Sequence, residues 1–460
     1  MVDMPNSLGG GKFKPYVKAI IEAERAPIRQ IEARKAKDAE KLKLLQEFTG
    51  RMRKLGDVLK EVDNFKKFRD LKADFGKNDD LMSVEVDKTL AEPGEYQVEI
   101  VQLAGRHSMI SNGFESADTE IGVGFFSYQT ASGDTKSVYL DSDSNTLRSL
   151  VNRINSEKDL NLQAMVVNDG SGEENPWRVI VSGKSTGMDQ DITYPDFYFV
   201  DGDVQFSAEN EREAQSAIVK LNGFEIMTPT NKLTELIPGL NIELKQAKEG
   251  QEITLTVSED VGKVSGKIKG LVENINGVLE FINKQNQLDE KSDTTKSLGG
   301  DGMLRNIESQ LRQLILTPFV VSPENAETEV GLRASDLGIA FERTGQLSFN
   351  GEKFQKKLTQ DFDQVAGFFT GSGNLIERLK EMNDNLTNSA NGLLPMRERG
   401  FRDRTRQMDE QIVQKEQQIT RKEEGLKQKF ANLEATMQNM QSQQAYMAQA
   451  LGGGGGGGGG

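Results

Sequence analysis

The sequence predicts an α+β protein of several domains. Terminal helices form a coiled-coil-like leg, a helical domain adjoins them, and two antiparallel β-rich, sandwich-like domains occupy the middle of the chain. Three observations predict this class: apolar residues recur at every seventh position near the C-terminus, a shorter repeat of the same spacing lies near the N-terminus, and short alternating segments fill the region between them. A strict seven-residue repeat indicates a helix whose one edge is held against another helix.

The two repeats define the predicted assembly seam. Its members are Leu45, Met52 and Leu59 near the N-terminus, and Ile412, Ile419, Leu426, Leu433, Met440 and Met447 near the C-terminus. The second seam position of the C-terminal repeat is polar at Glu416 and Glu423, so this helix is a poor partner for itself. We therefore expect it to pack near Leu45, Met52 and Leu59, which makes an elongated, hairpin-shaped subunit. Neither stripe should be a stable isolated helix in water, so we expect the legs to be loosely ordered until assembly fixes them.

In the first half of the chain, the pattern changes from helix to short strands. Residues 14–72 are typical of a helix that bends near Pro27, where one apolar stripe ends and another begins. The later predicted elements are strands at 83–87 and 96–100 joined across Pro93-Gly94, strands at 123–130 and 136–140, a helix at 146–154 capped by Asn145 or Asp143, and strands at 162–168 and 177–182.

In the second half of the chain, strands give way to helices. The predicted strands are 217–221, 224–227, 240–245 and 252–257; helices from Val264 and at 304–315 come next, followed by a small hairpin of 339–342 with 347–349 and helices at 353–369 and 374–388. The terminal helix runs from about Leu394 to Leu451, would span roughly 85–90 Å if continuous, and is interrupted by Gly425. The glycines at 452–460 cannot pack, and we expect them to be disordered.

These elements predict the following domains. They are 1–75, the N-terminal helical leg segment and part of the helical domain; 79–106 with 208–260, a β-rich domain; 107–207, an inserted outer β-rich domain; 261–370, a helical domain with a small β-hairpin; 371–451, the long C-terminal leg helix; and 452–460, the glycine tail. The insertion is expected because residues 83–104 are too short to make a stable β domain alone.

Composition excludes several classes of function. The chain of 460 residues has no cysteine and one histidine, His107, so a cysteine metal site is impossible and a histidine-based site has little material. Residues 76–258 carry 31 acidic against 14 basic side chains, which would repel nucleic acid. No apolar run indicates a secretory leader or a membrane span. We expect no cofactor, no nucleic acid, no membrane span and no enzymatic activity.

Two clusters of charged or polar residues have ordinary structural explanations. Asp141, Asp143 and Asn145 match the start of a calcium loop, but Thr146 replaces the required glycine, and a helix cap explains them better. The run of arginines near the C-terminus is diluted by acidic residues and fits a solvated or salt-bridged helix face: Arg397, Arg399, Arg402, Arg404 and Arg406. A hydrolase that uses a pair of carboxylates stays open as a third hypothesis, since the 71 acidic residues always offer pairs.

Several motifs, taken in order, resemble the flagellar filament cap family, also called flagellar hook-associated protein 2. They are Glu24-Arg25-Ala26-Pro27-Ile28, the segment 93–100, Leu221-Asn222-Gly223, the segments 231–240 and 254–260, and Leu337-Gly338-Ile339 followed by Gly345-Gln346-Leu347. The resemblance extends from about Tyr16 to Leu451.

The resemblance implies a function without covalent chemistry. It implies a homo-oligomer, often a pentamer, at the distal tip of the flagellum, outside the cell, that promotes folding and insertion of flagellin during filament elongation. The implied partners are other copies of the chain, flagellin, the flagellar export apparatus and its chaperone, and the hook–filament junction proteins; export occurs without a cleaved leader. The alternative is a surface adhesin that binds host or prey glycans or proteins through the outer β domain.

Overall fold

Helices occupy both ends of the chain in the computed structural model, which describes residues 13–129, 134–190, 192–200, 206–287, 297–321 and 330–452. They are α1 (Lys14–Glu24), α2 (Ala26–Lys60), α3 (Phe65–Phe68), α4 (Leu147–Ser156), α5 (Val261–Asn286), α6 (Gly302–Leu316), α7 (Gly351–Gln360), α8 (Phe362–Thr370), α9 (Leu375–Thr387) and α10 (Leu393–Gly452). The bend predicted at Pro27 is confirmed: α1 ends at Glu24, and Pro27 lies in the first turn of α2. A proline is tolerated there because the missing N–H would have no partner within the helix.

The terminal helix α10 is continuous through Gly425, so the predicted interruption is wrong. A glycine inside a helix costs only about 1 kcal/mol relative to alanine, which a helix of 60 residues tolerates at one position. The prediction for the glycine tail lies outside the described residues, except that Gly452 ends α10.

Two compact units make up the chain. One unit contains Met1–Phe68 and Ser265–Gly460, and the other contains Arg69–Val264. The helical unit has a core of large apolar side chains from several helices: Leu45, Phe48, Met52, Leu55, Leu59, Ile268, Leu304, Leu311, Phe354, Phe368 and Phe369. Within it, the rings of Phe48 and Phe281 lie 5.3 Å apart, which fixes α2 against α5.

The second unit is built of short antiparallel strands. They are β1 (Leu71–Asp74), β2 (Met82–Val86), β3 (Gly94–Gln102), β4 (Ser108–Ser111), β5 (Gly124–Gln129), β6 (Thr135–Leu140), β7 (Leu162–Asn168), β8 (Trp177–Gly183), β9 (Asp196–Phe199), β10 (Ala208–Arg212), β11 (Ala217–Leu221), β12 (Phe224–Thr228), β13 (Lys232–Ile237), β14 (Leu240–Leu244) and β15 (Glu252–Glu259). The helical unit adds the short pairs β16 (Phe319–Val321) with β17 (Val330–Leu332), and β18 (Ile339–Phe341) with β19 (Leu347–Phe349).

Two separate apolar cores lie within the β unit. The first is enclosed by a five-stranded sheet of order β1-β15-β3-β11-β12 and a three-stranded sheet of order β13-β14-β2. The second lies among α4, a four-stranded sheet of order β10-β4-β8-β7 and a three-stranded sheet of order β6-β5-β9. Two packed sheets around each core confirm the predicted sandwich-like class. Because β3 pairs with both β11 and β15, the strands before and after the insertion form one sheet, as the pattern predicts.

The structure corrects four local predictions. Residues 71 and 72, predicted as the end of a helix, begin the strand β1, because β1 pairs with β15. The cap of α4 is Thr146, whose hydroxyl accepts a hydrogen bond from the Ser149 N–H; it is neither Asn145 nor Asp143. Strand β10, which we assign on sequence to the segment 208–260, pairs with β4 of the insertion. The pattern also misses six strands that are short or largely polar: β4, β9, β10, β13, β16 and β17.

The helical unit offers a matched pair of glycine substitutions on α2. A Cβ added at Gly56 would lie 2.4 Å from the Asn383 side-chain nitrogen, and Asn383 is buried, whereas a Cβ at Gly50 meets nothing within 4 Å. We expect Gly56→Ala to destabilise the helical unit by about 1–3 kcal/mol through overpacking. Gly50→Ala should stabilise it by about 1 kcal/mol. Chemical unfolding followed by circular dichroism at 222 nm checks both, and equal effects of the two substitutions would contradict the packing.

The second core should lose stability in acid through one ion pair. Hydrogen bonds from Arg178, at 2.6 Å, and from Ser171 lower the pKa of Asp169 to about 2 from its ordinary 3.8. A lowered pKa stabilises the folded state above pH 3.8, and that contribution disappears as the pH falls toward 2. Asp169→Asn should therefore flatten the pH dependence of unfolding between pH 4 and 2. The fluorescence of Trp177, the chain's single tryptophan, reports on this core. If the variant unfolds with the same pH dependence as the unmodified chain, the Asp169–Arg178 pair is not the cause of the loss in acid.

Candidate assembly site at the terminal helices

Four polar contacts hold α10 antiparallel to α1 and α2. Lys422 lies 2.7 Å from Glu24, and Arg404 lies 3.0 Å from Asp38. Lys35 also pairs with Asp409, and Thr49 donates a hydrogen bond of 2.7 Å to Glu398. Residue numbers rise along one helix as they fall along the other, so these contacts define a single register. The side chains of the three ion pairs are mostly exposed, where each pair contributes at most about 1 kcal/mol. These ion pairs fix the register of the helices more than they stabilise the fold.

An apolar seam follows the same register. Val17 and Ile21 of α1 and Ile28 of α2 are buried together with Ile419 of α10, which is 7% exposed. Three further side chains of α10 pack partly buried on this cluster: Ile412, Leu426 and Phe430. At the N-terminal end of α1, the rings of Phe13 and Phe430 stack with their centroids 5.2 Å apart. Ile412, Ile419 and Leu426 of the predicted repeat therefore do lie along a seam with the N-terminal helices.

The partner of this stripe differs from the one expected from the sequence. Leu45, Met52 and Leu59 are fully buried, but the part of α2 that carries them packs against α5 and α9. The contact of Thr49 with Glu398 places this region beside the first turns of α10, far along the helix from Ile412. The expected pairing is wrong because a seven-residue repeat shows which edge of a helix is buried but does not give the axial register.

The last three members of the repeat have a different environment. Leu433, Met440 and Met447 are exposed, as are Met437 and Tyr446 beside them. They lie on α10 beyond the residues that Phe13 and Val17 contact. The distal third of α10 thus presents an apolar stripe to solvent in the part of the chain that the structure describes.

The arginine run near the start of α10 is used within the helical unit. Arg397 binds Asp301, the residue that caps α6, at 2.9 Å. Arg402 pairs with Glu398 on its own helix, and Arg404 pairs with Asp38 of α2. The expectation of a salt-bridged helix face is confirmed for these three side chains.

The two other polar positions considered on sequence are also engaged in structural contacts. The carboxylate of Asp141 accepts a hydrogen bond of 2.6 Å from the Ser144 hydroxyl. His107 is buried; its Nε2 lies 2.6 Å from a Glu211 carboxylate oxygen, and its Nδ1 accepts a hydrogen bond from the Ile192 N–H. Among the described residues, no group of three or more His, Asp or Glu side chains is arranged to hold a metal ion.

Family models of known proteins match two parts of the chain. The family model described as "Flagellar hook-associated protein 2 N-terminus" matches residues 10–107, and the one described as "Flagellar hook-associated protein 2 C-terminus" matches residues 214–442. The chain belongs to the flagellar hook-associated protein 2 family. This is a family of structural, non-enzymatic proteins that cap the flagellar filament at its extracellular tip and serve flagellin assembly.

Individual relatives and solved structures are similar to the chain to different extents. The A-type flagellar hook-associated protein 2 of Pseudomonas aeruginosa is 25% identical over 441 residues, which cover 87% of each chain. The crystal structure of the D1-D2-D3 domains of the flagellar cap protein from Escherichia coli is 18% identical, with a TM-score of 0.55 over 78% of this chain and 99% of that one. The flagellar cap protein of Bdellovibrio bacteriovorus is 41% identical over 38% of this chain and 96% of that one, with a TM-score of 0.35.

Within the described ranges, no helix is both long enough and apolar enough to cross a bilayer.

Proposed function

We propose that the chain caps the filament as a homo-oligomeric ring, a pentamer by analogy with its family, and that the hairpin of α1 and α10 is the part that engages the filament end. The single observation that carries this proposal is the apolar seam around Ile419, continued on α10 by an exposed stripe at Leu433, Met437, Met440 and Met447. When the apolar stripe of a helix extends past the helices packed against it, the exposed part of the stripe indicates a further binding partner.

The distal stripe gives the cap a means of holding flagellin by apolar contacts, without covalent chemistry. Fully burying a leucine or methionine side chain contributes about 1.5–3 kcal/mol, so a few such contacts hold an incoming helix yet release it when the ring moves on. The other proposed partners are the export apparatus and its chaperone, which deliver the chain, and the hook–filament junction proteins, on which the first cap rests. We keep the predicted domain division with two changed boundaries: residues 71–74 join the β-rich domain, and residues 208–212 join the inserted outer domain. Of the predicted seam we keep the six residues of α10 as assembly residues, whereas Leu45, Met52 and Leu59 belong to the core of the helical unit.

Ile419→Asp tests the seam. A carboxylate at a position that is 7% exposed would be buried without a partner, which costs several kcal/mol and should separate α10 from Val17 and Ile21. We expect cells that carry this variant to release monomeric flagellin and to lack filaments, as judged by electron microscopy and immunoblotting of the medium.

The matched control is Val413→Asp, which adds the same charge at an exposed position of α10. It should leave capping unchanged, and near-ultraviolet circular dichroism should show the β unit folded in both variants. Normal swimming and normal filaments in the Ile419→Asp strain would show that this seam is not the functional leg.

The adhesin alternative has one supporting observation. On the outer face of the sheet of β5, β6 and β9, Tyr139, Phe125 and Tyr198 form a row across three strands, with centroids 5.7 and 5.0 Å apart. Both tyrosines are more than half exposed, and the next row on the same face is polar: Ser137, Ser127 and Asp196. Aromatic rings beside hydroxyl and carboxylate groups can pack on the C–H faces of sugars and bind their hydroxyl groups.

A glycan array tests the adhesin alternative directly. If the row binds sugars, Tyr139→Ala with Tyr198→Ala should weaken binding of the full chain to its best glycan at least tenfold, whereas Phe224→Ala, an exposed aromatic outside the row, should not. Filament capping should be unaffected by all three substitutions. If the unmodified chain binds no glycan, adhesion to glycans is refuted. Equal loss in the Phe224→Ala control would show that the aromatic row is not the glycan site.

A further inference from the structure

One flank of the terminal hairpin carries an open groove. Its volume is about 620 Å³, and its lining comes from α1 and α10: Phe13, Lys14, Val17, Lys18, Ile21, Glu423, Lys427, Gln428, Phe430, Ala431 and Glu434. The floor is apolar, formed by Val17, Ile21, Phe430 and Ala431, and charged side chains stand at the rim. We call this surface the leg groove.

The opposite flank of α1 carries an uncharged ridge. Tyr16, Ala19, Ile20 and Ala23 are all exposed, with Tyr16 64% and Ile20 37% exposed. Successive residues of a helix are separated by about 100°, so Tyr16 lies about 160° around the helix from both Lys14 and Lys18 of the groove. Most solvent-facing positions on the helices of this chain are charged or polar. Four neighbouring exposed side chains without charge therefore indicate a contact surface. We call it the leg ridge.

We propose that the leg ridge of one copy docks in the leg groove of the next copy around the ring. Groove and ridge occupy the same stretch of α1, residues 13–21 and 16–23, but face opposite sides of it. Two copies can therefore meet ridge to groove by rotation alone, without sliding along the leg axis. A head-to-tail contact that needs no translation closes into a ring when its rotation divides the full circle evenly, whereas one that needs translation builds a helical filament.

This geometry favours the ridge on a neighbouring copy's α1, rather than the distal stripe of its α10, as the surface that occupies the leg groove. The residues that line the groove on α10 are 423–434, while the distal stripe runs from Leu433 to Met447. Seating a neighbour's distal stripe in the groove would shift the copies by about twelve residues, or about 18 Å of helix. That arrangement cannot close, and it would also cover the stripe that the proposed function leaves for flagellin. The inference thus rests on the proposed ring and names one of its contacts.

The absence of cysteine from the chain allows a direct cross-linking test. Full-length Ile20→Cys and Ala431→Cys proteins, one on the ridge and one in the groove, are purified separately, mixed and oxidised. We expect the mixture to give at least ten times more disulfide-linked dimer than either protein alone. The matched control replaces Ala431→Cys by Arg421→Cys, which is exposed on α10 and does not line the groove; it should give no increase.

Substitution of the ridge provides a second measurement. Ile20→Asp should raise the dissociation constant of the oligomer in sedimentation velocity at least tenfold, while Ile20→Met should leave it unchanged. Ile20 is exposed and outside the seam of Val17 and Ile21, so far-ultraviolet circular dichroism should be the same for both variants.

The outcomes separate this inference from the proposed ring. An intact oligomer without ridge-to-groove cross-links overturns the inference alone, as does cross-linking of Ile20→Cys with itself, which would show a two-fold contact. A ridge cysteine that stays reactive to a thiol label in the oligomer, but is protected once purified flagellin is added, assigns the ridge to flagellin and also overturns it. A chain that stays monomeric at every concentration and at the filament tip overturns the ring as well.

Discussion

The ion pair between Glu24 and Lys422 joins residues that are 398 positions apart in sequence and 2.7 Å apart in space. This ion pair is part of the antiparallel contact of α10 with α1 and α2. The helical unit depends on that contact. With Ile419 buried among Val17, Ile21 and Ile28, α10 cannot slide along its partners without exposing apolar surface and separating charges of opposite sign. The same register brings the first turns of α10 beside Thr49 and lets Arg397 reach the cap of α6, so the proximal core and the distal leg share one alignment.

Three contacts of this kind join residues that are distant in sequence, and each lies inside the previous one along the chain. The hairpin pairs the ends of the chain, the pairing of Leu71 with Glu259 closes the β unit, and the bridge between Gly105 and Gln215 closes the insertion. Each closure brings together the two chain ends of one folded part, and each part has its own apolar core. This organisation explains how one chain can carry an independently packed β-rich segment between two terminal helices whose exposed apolar faces are left for assembly.

Sequence reasoning recovered the parts of this arrangement that depend on local pattern. The seven-residue spacing from Ile412 to Leu426 identified the buried edge of α10, and Pro27 marked the break before α2. It failed where a contact distant in sequence decides the outcome. Residues 71–74 become a strand because β15 lies beside them, and the axial register of the hairpin depends on charge pairs that no spacing rule reveals. The leg ridge was missed for a further reason: alanines in a helix carry no signal until the structure shows that Ala19 and Ala23 share one exposed face with Tyr16 and Ile20.

A distance between spin labels at positions 30 and 414 measures the axial register of α10 against the N-terminal helices. Both residues are exposed glutamines, and the chain has no cysteine to interfere with labelling. In the register described, the labels lie on facing turns of neighbouring helices, so at the concentration of assembly the distance should be short, on the order of 10–20 Å, with a narrow distribution. Pairing of Ile412 with Leu45 instead would shift the helices by thirteen residues, about 20 Å. Because that axial shift combines at right angles with the lateral separation, the labels would then lie about 22–28 Å apart. Such a distance, or a broad distribution, would contradict the register described.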